Sequence, residues 1–126
     1  MKQKTIYLSG LRTLIPENTY HEYDLVEKKL NELGHIVINP HVVCQDVARH
    51  LFETDEEYQE QCMRLCMAEM IAFADTIVTL KDWELCSNSK KEVSVARALG
   101  FIAVEHIVSF LANQSNAVRA TASHKG

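Results

Sequence analysis

The spacing of apolar positions changes several times along the chain, and the changes mark its elements. Residues 4–9, "KTIYLS", are a short β-branched and aromatic run that predicts a strand, closed by Gly10. From about Asn18, the expected N-cap, Tyr23, Val26, Leu30 and Leu33 recur at helical spacing as far as Gly34. "HIVINP" at 35–40 returns to strand character, and Pro40 ends it. Residues 41–53 are polar and ambiguous. Residues 54–75 read as one long helix. Thr54 and Glu57 have the spacing of a capping box, and Cys62, Leu65, Cys66, Met70 and Phe73 supply the expected buried stripe. "TIVTL" at 76–80 predicts a buried strand, and "SKKEVSVARAL" a helix stopped by Gly100. "FIAVEHIV" at 101–108 predicts a fourth strand, and "SFLANQ" a last short helix.

Strands alternating with helices predict an α/β fold, a parallel sheet covered on both faces. The length, 126 residues, suits one domain. In such sheets ligands bind beyond the carboxyl ends of the strands, where strand order reverses. That rule singles out Ser9, Gly10 and Arg12 after the first strand, Asn39 and His41 after the second, and residues 81–89 after the third.

Composition narrows the function classes. Net charge is -4, and the lysines and arginines are scattered rather than striped. This argues against binding duplex DNA or long RNA, where affinity comes from phosphate neutralisation, but a small nucleotide needs only a few local donors. No apolar run is long enough to cross a bilayer, and the N-terminus goes straight into a strand, so a cytoplasmic protein without membrane association is expected. Cysteines 44, 62, 66 and 86 do not form a secreted disulfide framework. Cys62 and Cys66 share a helix face, but no second pair completes a zinc set, so they read as core thiols. The six histidines are dispersed. No metal and no cofactor is expected. The polar tail from about residue 113 to 126 reads as frayed, leaving 1–112 as the folded domain.

The chemistry lies in two loops. Ser89-x-x-Glu92 has the form of a capping box, with Ser89 as N-cap, a reading worth about 1 kcal/mol and sufficient for both residues. The functional alternative needs partners converging on the Glu92 carboxylate. Tyr7 is one candidate, near the carboxyl end of the first strand, although a strand tyrosine also simply packs. Ser9 and Gly10 offer a hydroxyl and an approachable backbone N–H. Trp83 either lies over a nucleobase or sugar or covers the sheet edge. Ser87, Asn88 and Ser89 bring hydroxyl and amide groups to a helix N-terminus, a setting that favours anions. Lys90 and Lys91 are either solvated or assist a phosphate.

"IYLSG", "HIVINP" and "ADTIVTLKDWELCSNSKKEVSVARALG", in this order and spacing over roughly residues 5 to 105, resemble the nucleoside 2-deoxyribosyltransferase-like superfamily. Within it the chain is most similar to a small bacterial and phage family of unknown function. The resemblance implies a flavodoxin-like, doubly wound sheet of four to five strands. It implies cleavage or transfer at the N-glycosidic bond of a deoxynucleoside or its 5′-monophosphate, as an N-glycosidase (hydrolase) or a transferase. Carried over, Glu92 would be the nucleophile and Tyr7 its orienter. Ser9, Gly10, Ser87 and Ser89 would line the sugar or phosphate site. Arg12, Asn39 and Trp83, from their places after the strands, are further expected substrate contacts. Relatives complete their sites across subunits, so a homo-oligomer, a dimer or larger, is expected, with Met63, Met67 and Met70 near the interface. One departure stands out. The resembled enzymes carry an aspartate that aligns with Met67, or with Cys66 after a slip, and Glu69 lies about 200° around the helix from Met67. The alternative is a catalytically weak or inactive nucleotide-binding module with the same pocket. A phosphoacceptor receiver domain is disfavoured, because Leu80 and Ser9-Gly10 occupy the places of its acids.

Overall fold

A computed structural model describes residues 2–10 and 16–114, the latter as backbone alone over 16–20. Strand β1 (Thr5–Ser9) leads to helix α1 (Pro16–Glu32) and strand β2 (Ile36–Ile38). Helix α2 (Pro40–Gln45) and a 3₁₀ turn (Arg49–Leu51) precede the long helix α3 (Asp55–Phe73). Strand β3 (Thr76–Thr79), a second 3₁₀ turn (Trp83–Leu85), helix α4 (Ser87–Leu99) and strand β4 (Ala103–His106) follow. Residues 107–114 are helical and take in the last short helix expected at 109–114. The rest of the expected tail, and Arg12, lie outside the described residues.

The four strands form one sheet in the order β2-β1-β3-β4, with every neighbouring pair parallel. This is a single small α/β domain of flavodoxin-like order. The chain moves outward from β1 to β2 and then crosses back to β3 on the other side of β1. The carboxyl ends of β1 and β3 therefore flank the switch point, where Ser9 pairs with Thr79.

Strand alternation divides the core into two. Ile6, Leu8, Val78 and Leu80 face Tyr23 and Leu30 of α1 and Phe110. Tyr7 and Ile77 face the other way, against Cys66, Met70 and Ala74 at the α3 side and Ala96 of α4. One register step in β1 thus decides which helices a side chain meets. Val26 and Leu33 pack against the first cluster, as the spacing of α1 predicts.

Several local readings change. Helix α1 begins at Pro16, so Asn18 lies inside the helix rather than capping it; proline suits the first helical position, where its missing N–H goes unneeded. In "HIVINP" the strand stops at Ile38. Asn39 caps α2 by accepting from the His41 N–H at 2.9 Å, and Pro40 opens the helix, which accounts for part of the ambiguous segment. Thr54 does cap α3, accepting from the Glu57 N–H at 3.1 Å. The buried stripe of α3 is narrower than expected. Cys62, Cys66 and Met70 are buried, whereas Leu65 and Phe73 are 37% and 64% exposed. Cys66 and Met70 of the four-residue row pack with Tyr7 and Ile77 of the sheet; a three-residue step rotates Leu65 and Phe73 off that seam. Helices α1 and α4 are followed by Gly34 and Gly100, at φ 93° and 79°, the left-handed stop that glycine adopts without a Cβ clash.

Candidate functional site

Tyr7 and Ser9 are two residues apart on β1, so both project toward the face covered by α3 and α4. Helix α4 runs antiparallel to the strands and brings its first turns to their carboxyl ends. The capping reading of Ser89 and Glu92 does not hold. The N-cap of α4 is Cys86, in extended conformation and with no side-chain capping bond, so Ser89 is the third helical residue and Glu92 the sixth. The 3₁₀ turn at Trp83 is the reason. It delivers the chain to Cys86 already turning, with the Cys86 N–H on the Trp83 carbonyl at 3.0 Å and the Lys90 N–H on the Cys86 carbonyl at 3.1 Å. Ser89 and Glu92, three apart, share the face that α4 turns to the sheet.

Four polar side chains meet there, and all of them are 0% exposed. The Tyr7 hydroxyl donates to Oε2 of Glu92. The Ser9 hydroxyl donates to Oε1 at 2.8 Å. Ser9 Oγ also lies 2.6 Å from Ser89 Oγ. A buried carboxylate loses its hydration, and these hydroxyls replace it. Gly10 follows at once, and a Cβ there would stand 2.8 Å from Cβ of Leu80. The glycine lets the end of β1 pass close to β3, where the Leu80 N–H meets the Ser9 carbonyl at 2.9 Å.

The remaining candidates lie apart from this cluster. Trp83 is half-buried in the 3₁₀ turn, directly after Asp82, which adopts a left-handed conformation (φ 61°). Ser87 is exposed at the first position of α4. Asn39 is 2% exposed and fully engaged: besides capping α2, its amide donates to Asp24 at 2.9 Å and Glu27 at 2.8 Å on α1.

An open groove of about 570 Å³ lies between the middle turns of α3, Gln59 to Ala68, and the first turns of α4. Met63, Met67 and Ala68 give it apolar walls, and Asn88 and Lys91 line it from α4. Arg64, at its rim, is paired with Glu60 at 2.9 Å. Asn88 precedes Glu92 by one turn, about 40° around the helix, so groove and carboxylate occupy adjoining faces of α4. Met67 is on the groove wall. Glu69 instead lines a separate, smaller cavity beside β2 and α2. Met70 is wholly buried, which removes it from any interface.

The groove is what sequence reasoning missed as a unit, because its walls belong to two helices whose contact no local pattern announces. Also missed were the bond from Ser9 to Ser89, across 80 positions, and the approach of Cys44 on α2 to Cys66 on α3, Sγ to Sγ 3.9 Å. Contact with Cys66, then burial, then Cys62 push the Cys44 thiol well above its ordinary range. Among the described residues no group of histidine, cysteine and acidic side chains could hold a metal ion. Nor is any described helix long and apolar enough to cross a membrane.

The pattern of a domain of unknown function, DUF4406, matches residues 4–105. The chain belongs to that family. The DUF4406 span takes in the whole hydroxyl–carboxylate cluster and both walls of the groove. No curated protein and no solved structure matches the chain.

Proposed function

We propose that this DUF4406 chain cleaves or transfers at the N-glycosidic bond of a deoxynucleoside or deoxynucleoside 5′-monophosphate. Glu92 attacks the anomeric carbon and Tyr7 orients it, in keeping with the sequence resemblance to nucleoside 2-deoxyribosyltransferases. One observation carries the reading. Glu92 does no capping, and its two carboxylate oxygens are held by Tyr7 and Ser9 beside the switch point of the sheet. Cleaving a glycosidic bond builds positive charge on the sugar, and a fixed carboxylate stabilises or captures that centre. The adjoining groove falls within the size range of small-molecule sites and offers apolar walls to a base, with an amide and an ammonium beside them. A second copy of the chain covering the open side of the groove completes the site in this reading.

The second reading, a nucleotide-binding module without turnover, has its own support. Met67 supplies no proton to a leaving base, a step typically contributing on the order of 10²–10⁴-fold. Glu92 is also fully covered, so a ligand must uncover it before attack.

Incubation with a panel of deoxynucleosides and their 5′-monophosphates, with free base followed chromatographically, tests the choice. Base release by the wild type and none by a folded Glu92→Gln variant is the expected result. Release undiminished in Glu92→Gln removes Glu92 as nucleophile. No release, with a clear thermal shift from the same ligands, selects the binding module.

A further inference from the structure

The cluster contains three hydroxyls of which two touch the carboxylate, and counting protons gives the network a direction. Each hydroxyl has one proton. Tyr7 spends its proton on Oε2 of Glu92, and Ser9 spends its own on Oε1. Ser9 must then be the acceptor in its 2.6 Å contact with Ser89, and Ser89 the donor. Among the described residues no acceptor other than Ser9 stands within reach of the Ser89 hydroxyl. The opposite direction needs a protonated Glu92 giving its proton to Ser9, Ser9 giving to Ser89, and Ser89, fully buried, left with no acceptor among the described residues.

We infer that Ser89 is a positioning residue: it fixes the Ser9 hydroxyl so that its proton points at Glu92, and through Ser9 keeps Oε1 as an acceptor, which a nucleophilic oxygen requires. The resemblance would place both serines against a sugar or phosphate. Here their hydroxyls are used by one another and by the carboxylate, and a phosphate dianion at the same spot would face Glu92 at close range. The inference rests on the reading of Glu92 as the nucleophile.

A double-mutant cycle tests the relay. If Ser89 acts only through Ser9, Ser89→Ala lowers the turnover of base release about tenfold, equivalent to about 1.4 kcal/mol, with KM little changed. In a Ser9→Ala background the same substitution then changes turnover by less than about twofold. Because the Ser89 hydroxyl meets β1 at Ser9, a serine that merely ties α4 to β1 lowers unfolding stability but leaves the turnover of the folded enzyme unchanged; that result, or an equal loss of turnover in both backgrounds, overturns the inference. A second readout stands apart from activity: the ¹³C resonance of the Glu92 carboxyl carbon in protein labelled at glutamate Cδ, identified by its loss in Glu92→Gln. Ser89→Ala moves this resonance although Ser89 does not touch Glu92, and moves nothing further once Ser9 is alanine. An unmoved resonance overturns the relay. If the wild type releases no base, the proposed function has failed, and the resonance still decides the relay. Should Ser89→Ala fail to fold, Ser89→Cys, with similar volume and a weaker donor, enters the same cycle.

Discussion

A carboxylate taken wholly out of water is costly unless donors replace its hydration. At Glu92 the Tyr7 hydroxyl is one of those donors, on a ring that is itself 0% exposed. Tyr7→Phe keeps the ring in its packing and deletes only the donor. The expected loss is about 1.5–3 kcal/mol, the range for a buried hydrogen bond to a charged group. Denaturant unfolding with an unchanged m-value checks it, and unaltered stability would reduce Tyr7 to a packing residue. Strand alternation alone put Tyr7 and Ser9 on one face of β1. That Glu92 lies opposite them depends on where the chain places α4, which only the resemblance supplied in advance. The misread cap has a local cause. Spacing of three residues serves a capping box and a helix face alike, and nothing in "WELCS" announces the 3₁₀ turn that starts the helix early. At Asn39 the same residue type that binds ligands also caps helices, and its bonds to Asp24 and Glu27 cross to another element.

Helices α2 and α3 meet through thiols, where Cys44 faces Cys66 and Cys62. Contact with Cys66, with burial second, holds the Cys44 proton in the folded state above the ordinary thiol value of 9.0. The unfolded chain releases that proton first. The resulting stabilisation is complete below about pH 9 and declines as pH rises beyond it, toward the raised folded value. Unfolding free energies measured from pH 8 to 10 should therefore fall more steeply in the wild type than in Cys44→Ala; identical slopes would mean that the thiols merely adjoin. At this scale α3 was legible where its signals are local: the Thr54 cap is in the sequence, and Cys62, Cys66 and Met70 form its four-residue row. Leu65 and Phe73 were misread because apolar character does not say how wide a face the sheet covers. Helix α2 was hidden because a proline that ends one element also begins the next.

For the whole molecule, alternation of strands and helices gave the fold class, but strand order emerges only from the pairing of β1 with both β2 and β3. That order brings α3 and α4 to the same face and opens the groove between them. Met63 and Met67 line it, whereas Met70 is enclosed beneath. An open, partly apolar groove beside the proposed nucleophile suits coverage by a second copy. Sedimentation at tens of micromolar, roughly the range of ordinary micromolar assembly, is expected to show a dimer or larger species. Met63→Glu, placing a charge on the groove wall, should return it to monomer. A wild-type monomer at that concentration would leave the groove to ligand alone.

The bonds from β1 to Glu92 join positions 85 and 83 residues apart, which sets an order of events during synthesis. The strand bearing Tyr7 and Ser9 leaves the ribosome first, and the acid follows after α1, α2, α3 and β3 have appeared. Until then the two hydroxyls sit on a sheet face destined for burial with no carboxylate to receive them. A nascent chain halted before α4 therefore cannot close that face, and it presents a polar defect in an otherwise apolar surface. Only chains that include α4 can bury it, so fragments arrested earlier are the forms that chaperones and proteases can tell from the folded domain.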